Sequence, residues 1–274
     1  MIQVVIMNNK LAIIGTDDRL QYLKDELSEN LEVKLFSTMV WNDEVENAIH
    51  DFQPNIVFMP IQAMKMERPF ALPSTCELLF VGKKYEEIED ACNENNRKVF
   101  YYLEDEPWIW DNANLTAEGF INYFYLNEKQ SVYNKRFIIT GYGRVGKRLA
   151  YALHHLGAKV IISVRSENQL FEAKSYGYEI EALDYVIEKL KDPTVYLVNT
   201  IPSKWLSNED TIFFNKIIDL ASKPGCLLDS SENIPENYAN PTSLPGMYFP
   251  QDAGNLLARS VRTQLALLEG DNLC

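Results

Sequence analysis

The chain has 274 residues, 46% of them hydrophobic, enough for two cores of ordinary size. Its net charge of −13 is carried by the first half: residues 1–130 hold 23 acids and 11 bases, whereas residues 131–274 hold 16 and 15. An acidic surface with no basic stripe or aromatic platform excludes nucleic acid as an expected partner, and no apolar run approaches the roughly 20 residues of a membrane span.

Residues 1–7 lack a basic leader region and read as strand material, so a cytoplasmic protein is expected. Leu11-Ala-Ile-Ile-Gly15 is an apolar run stopped by glycine, and Leu20, Leu23 and Leu27 then follow at helical spacing, which makes a strand–helix unit. Residues 32–36 alternate as a second strand, residues 43–50 are helix-like, and residues 54–60 read as a buried strand closed by proline. Residues 77–81 and 98–102 add two strands, with an acidic helix over 85–94 between them. Short strands separated by helices predict a small doubly wound parallel sheet. Residues 62–75, with Met64, Met66, Pro69 and Pro73, have no period and are expected to form an irregular loop. A bridging helix over 116–130 carries Phe120, Ile121, Phe124 and Tyr125 toward the second half.

That half opens on Arg136-Phe-Ile-Ile-Thr-Gly-Tyr-Gly-Arg-Val-Gly-Lys-Arg-Leu-Ala150, a G-x-G-x-x-G spacing between an apolar strand and an amphipathic helix. Gly141 permits the tight turn, Gly143 lets backbone amides approach a pyrophosphate, and Gly146 lets the helix pack closely on the sheet. Tyr142, Arg144 and Val145 complete the turn, and the anion is expected on the helix N-terminus. A second strand over 158–164 ends in Arg165-Ser166, where an acid would grip a ribose 2′-hydroxyl. An Arg and a hydroxyl suit a 2′-phosphate instead, so the expected cofactor is NADP.

Helices are expected over 170–176, ended by Gly177, and over 183–190. Strands over 195–198 and 216–221 end in Asn199-Thr-Ile-Pro202 and Ser222-Lys-Pro-Gly225, bringing polar groups to the carboxyl edge, where open α/β sheets bind ligands. The chain closes with an amphipathic helix over 253–268, expected to return to the first domain. The fold class is therefore α/β, with two doubly wound, Rossmann-like sheets. Residues 1–115 form a flavodoxin-like substrate domain, 116–252 the NADP domain including the bridging helix, and 253–274 the returning helix.

Cys76, Cys92, Cys226 and Cys274 are scattered and fit neither a zinc site nor a disulfide framework, so reduced thiols and no metal are expected. His50, His154 and His155 are the histidines, none of them late in the chain. A two-domain 2-hydroxy acid dehydrogenase places its general-acid histidine late, so that activity is disfavoured.

The order of motifs resembles the A-subunit family of dipicolinate synthase over nearly the whole chain. The resemblance rests on Ile14-Gly-Thr-Asp-Asp-Arg19, Thr116-Ala-Glu-Gly119, the glycine turn, Asn199-Thr-Ile-Pro-Ser203 and Asp219-Leu-Ala-Ser-Lys-Pro-Gly225, with Leu244-Pro-Gly246 and Pro250-Gln-Asp-Ala-Gly254 as a weaker match. It implies an oxidoreductase that converts dihydrodipicolinate to dipicolinate with NADP, beside a flavoprotein-like B subunit, in a sporulating cell. The chain departs from the pattern at Thr16 and Cys226, where the family has a second Gly, and at Gln251-Asp252, where it has a Lys-Thr pair.

On that reading Arg19 and Lys223 are the candidates for holding the two carboxylates across a cleft between domains. Their competing roles are an ion pair with Asp17 or Asp18 and a solvated loop charge. Glu118 and Asp17 are candidate bases, Glu118 serving otherwise as a first-turn helix acid. Asn199, Thr200, Ile201 and Pro202 are expected to position the nicotinamide, and Ser222 its carboxamide. A homo-oligomer is expected. Another cyclic imine or keto acid as substrate, and a cofactor-binding subunit without chemistry of its own, stay open.

Overall fold

The computed structural model describes residues 9–84, 88–90, 92, 97–229 and 234–271. The strand reading of residues 1–7 lies outside these, as does most of the acidic helix over 85–94. The chain divides into two compact units, residues 1–112 with 249–274 and residues 113–248.

The first unit runs β1 (Lys10–Ile14), α1 (Arg19–Leu27), β2 (Glu32–Phe36), β3 (Val40–Trp41), α2 (Asp43–Phe52), β4 (Ile56–Phe58), β5 (Lys65–Met66), β6 (Leu78–Val81) and β7 (Lys98–Tyr101). Its main sheet has the order β2-β1-β4-β6-β7 with every pair parallel. Alternation on β1 sends Leu11 and Ile13 into one core with Leu20, Leu23 and Leu27 of α1, and Ala12 and Ile14 into the other with Val57 and Leu79. Burial on both faces is why the central strands β1, β4 and β6 read as unbroken apolar runs.

The expected irregular loop over 62–75 is partly ordered. β5 within it pairs with β3, Phe70 packs on Trp41 with ring centroids 4.6 Å apart, and Arg68 makes ion pairs with Asp43 and Glu46. A two-residue strand carries no period, so the sequence pattern had nothing to show there.

In α3 (Glu106–Glu128) the bridging helix starts ten residues before its expected position at Thr116. Pro107 is tolerated in a first turn, where its missing N–H is no loss. Asn112, Asn114 and Thr116 lower the local helix propensity, yet buried Trp108 and Ala113 secure the segment by packing.

The second unit continues with β8 (Arg136–Thr140), α4 (Arg144–His155), β9 (Lys159–Val164), α5 (Glu167–Ser175), β10 (Glu179–Ala182), α6 (Val186–Leu190), β11 (Asp192–Asn199), β12 (Phe214–Asp219), β13 (Tyr238–Ala239) and α7 (Leu244–Tyr248). The sheet order β10-β9-β8-β11-β12-β13, again all parallel, is that of a Rossmann domain, with its reversal point between β8 and β11. One face is covered by a core of Phe120, Phe124, Phe137, Leu149, Leu153 and Tyr196, among others.

The last helix, α8 (Pro250–Asp271), belongs to the first unit, so the expected return is borne out. Leu257, Ala258, Val261 and Leu265 enter the core that holds α1, and a β-carbon at Gly254 would stand 2.6 Å from the Arg19 carbonyl oxygen. Only a glycine allows this approach. Among the described residues no helix is long and apolar enough to cross a membrane.

Candidate functional site

The glycine turn joins β8 to α4. Gly141 takes a φ of +93°, and its N–H donates to the Ser163 carbonyl of β9 at 3.0 Å. Thr200, just past β11, lies against the turn: its N–H and its hydroxyl both donate to the Thr140 carbonyl at 2.8 Å. A β-carbon at Gly146 would stand 2.3 Å from the Gly141 carbonyl oxygen, whereas one at Gly143 would meet nothing within 4 Å. Gly143 is also the N-cap of α4 and, being a glycine, brings no capping side chain to that terminus. An open cradle at the positive end of a 12-residue helix fits a phosphate.

Of the other turn residues, Arg144 is exposed and Val145 half-buried. Tyr142 is 4% exposed, its ring in the core 6.3 Å from that of Tyr178. Its side chain is therefore unavailable to a ligand, a correction to the expectation; only its backbone borders the turn. Arg165 and Ser166 are exposed past the end of β9, and Ser166 is the N-cap of α5, its hydroxyl accepting from the Gln169 N–H at 3.5 Å.

Beneath this edge runs a buried polar row that the sequence did not reveal as a unit. Ser163, Thr140, Asn199 and Asp219 are register neighbours across β9, β8, β11 and β12, and each is 0% exposed. Thr140 donates through its hydroxyl to Asn199 Oδ1 at 2.8 Å, and Asn199 Nδ2 donates to Asp219 Oδ1 at 2.7 Å. The Asn199 amide also holds Ile201, accepting from its N–H and donating to its carbonyl. It is thus committed inside the protein and cannot position a nicotinamide directly, which corrects that expectation. The Ser163 hydroxyl has no hydrogen-bond partner among the described residues.

Asp219 is the hub of this row. Oδ1 also accepts from the Ala221 N–H, and Oδ2 from the Cys226 N–H at 2.7 Å and the Tyr238 hydroxyl at 2.8 Å. Burial first, then the hydrogen bond and charge of Asp219, push the Tyr238 phenol upward, so it keeps the proton it donates. Gly225 has a φ of +75°, and a β-carbon on it would stand 2.8 Å from Asp219 Oδ2, so the loop 220–226 wraps the carboxylate closely. Ser222 and Lys223 stand exposed on that loop.

The other candidates are placed as follows. Glu118 is exposed in the interior of α3, so the first-turn acid role offered for it does not apply. Arg19, 6% exposed, donates through Nε to Asp17 Oδ1 at 2.7 Å and pairs with the second oxygen through a terminal nitrogen. This is the ion pair given as its competing role. Burial raises the Asp17 pKa, but the hydrogen bond and charge of Arg19 outweigh it and hold the carboxyl below its usual range, which argues against Asp17 as a base near neutrality. His154 and His155 are exposed on α4, where Tyr151 stacks on His155 with centroids 4.0 Å apart. Cys76, Cys92 and Cys226 are free, buried thiols, and burial pushes Cys76 up to about 12 against the charge of Arg97.

Glycine turn, helix terminus and strand order together define a dinucleotide-binding domain of the Rossmann type. Residues 115–209 match the family model of the D-isomer specific 2-hydroxyacid dehydrogenase NAD binding domain. In sequence the chain is 26% identical over 214 residues to the A subunit of dipicolinate synthase from Bacillus subtilis (strain 168), covering 76% of this chain and 71% of that protein. In fold it is similar to the solved dipicolinate synthase A chain from Bacillus subtilis, with a TM-score of 0.77, 22% identity and coverage of 97% and 98%. The solved counterpart from Bacillus halodurans gives a TM-score of 0.75, 22% identity and coverage of 94% and 98%. The resemblance to the A-subunit family of dipicolinate synthase is thereby borne out.

Proposed function

We propose that the chain is an NADP-dependent dehydrogenase subunit that oxidises dihydrodipicolinate to dipicolinate. The observation that carries the cofactor reading is the open cradle at Gly143 with exposed Arg165 past the adjacent strand. The backbone N–H groups that open α4 would hold the pyrophosphate, and Arg165 would pair with the 2′-phosphate. When bound, the oxidised nicotinamide supplies a hydride acceptor. Aromatising the ring releases one hydride and one proton, so a base is also required. Exposed Glu118 is the proposed proton acceptor, and Lys223 the proposed partner of one substrate carboxylate. Arg19 can serve the other only by sharing its guanidinium with Asp17. Residues 1–115 are proposed to bind substrate and 116–252 cofactor, in a cytoplasmic assembly with a second copy of the chain and a flavoprotein-like B subunit.

A second reading keeps the cofactor and changes the substrate to another cyclic imine or keto acid. It is favoured by Gln251 and Asp252, which stand exposed in the first turn of α8 where the family has Lys-Thr. Turnover across a panel of such acids, with and without the B subunit, separates the two. The cofactor assignment is tested by calorimetry with NADPH and NADH. Arg165→Ala is expected to weaken NADPH at least several-fold and leave NADH nearly unchanged, as removal of one charge-assisted phosphate contact requires. Equal loss for both nucleotides sinks the assigned role of Arg165.

A further inference from the structure

A dinucleotide laid across a Rossmann sheet has its pyrophosphate over the reversal point and its two halves over opposite sides. Here Arg165 lies past β9 on one side, and the segments that follow β11 and β12 lie on the other. The second side is shaped by one buried carboxylate. Asp219 receives Asn199, which grips both backbone groups of Ile201, and it receives Ala221 and Cys226 at the two ends of the loop that displays Ser222 and Lys223. Tyr238 ties the same oxygen to β13, and the Asn240 amide donates to the Asp219 carbonyl at 2.7 Å.

We propose that Asp219 is a positioning residue for the nicotinamide half of the bound dinucleotide, fixing the turn 199–201 and the loop 220–226 as one rigid edge. This rests on the dinucleotide reading above. Every group that meets the carboxylate oxygens is a donor, so an amide cannot replace it: Asp219→Asn turns at least one N–H against another N–H or the Tyr238 hydroxyl. The glycine turn has its own anchor on the other side of the reversal point, where the Gly141 N–H donates to the Ser163 carbonyl of β9, so the pyrophosphate and adenosine contacts do not depend on this carboxylate.

The test compares NADPH with the same molecule lacking nicotinamide, 2′-phospho-ADP-ribose, on the full chain. In Asp219→Asn the fragment should bind within about twofold of wild type, whereas NADPH weakens about tenfold and its nicotinamide fluorescence loses the change expected on binding to wild type. Tyr238→Phe removes a single donor and should shift NADPH in the same direction by about threefold, so it decides the matter if Asp219→Asn does not fold. Equal losses for both probes, or no loss for either, overturn the positioning role while leaving the dinucleotide reading standing. If the wild-type chain binds neither probe, the dinucleotide reading fails and this inference falls with it.

Discussion

The carbonyl oxygen of Gly141 stands where a side chain at Gly146 would begin, 2.3 Å from the ideal position of a β-carbon there. The opposing atom is backbone, so no rotamer change relieves the clash, and α4 must move away from β8. Gly146→Ala is therefore expected to lose about 1–3 kcal/mol of stability, the usual cost of overpacking a close contact. Nucleotide binding falls with it, because the first turn of α4 shifts. Urea unfolding and NADPH titration of the same preparation check both parts, and an unchanged unfolding midpoint would contradict the stated approach.

Gly143 gives the opposite expectation. Its φ of −80° suits any residue, and a β-carbon there meets nothing within 4 Å. Gly143→Ala should change stability by less than about 1 kcal/mol, since only the N-cap preference is altered. A methyl group at that point nevertheless occupies the space a phosphate needs. Its NADPH dissociation constant is expected to rise about tenfold or more, equivalent to at least about 1.4 kcal/mol of binding. Binding equal to wild type would show that the pyrophosphate is not held at this turn.

The contrast between these two glycines was legible from the motif, because G-x-G-x-x-G spacing assigns one glycine to packing and another to ligand approach. The five main strands of the first sheet were legible too, through apolar runs or alternation between breakers. β10 escaped notice because Glu179-Ile-Glu-Ala182 contains a single large apolar residue and lies at a sheet edge. The first ten residues of α3 were hidden by Asn112 and Asn114, whose propensities are poor and whose helicity comes from tertiary burial of their neighbours. At the site, polar residues closing apolar strands were visible, but their partners were not. Asn199 and Asp219 are 20 positions apart, and only the β11–β12 register makes them neighbours. A pattern read along one strand cannot distinguish an amide that faces a ligand from one that faces the next strand.

Arg19 and Asp17 supply the pH-dependent expectation. With its folded pKa held below the normal value of 3.8, the Asp17 carboxylate contributes stability that is fully present above its unfolded pKa of about 3.9 and is lost as pH falls through the lower folded value. A third of the Asp17 side chain meets solvent, so the contribution lies nearer an exposed pair than a fully buried one. Asp17→Asn should cost about 1–2 kcal/mol at pH 7, the worth of hydrogen bonds to a charged group discounted for that exposure. The gap between wild type and variant should then begin to close as pH falls below about 4, because the protonated wild type no longer has the charge that the variant lacks. Urea unfolding at pH 7, 4 and 3 measures the gap directly. A difference that stays constant down to pH 3 would mean that Arg19 does not hold the carboxyl below its usual range.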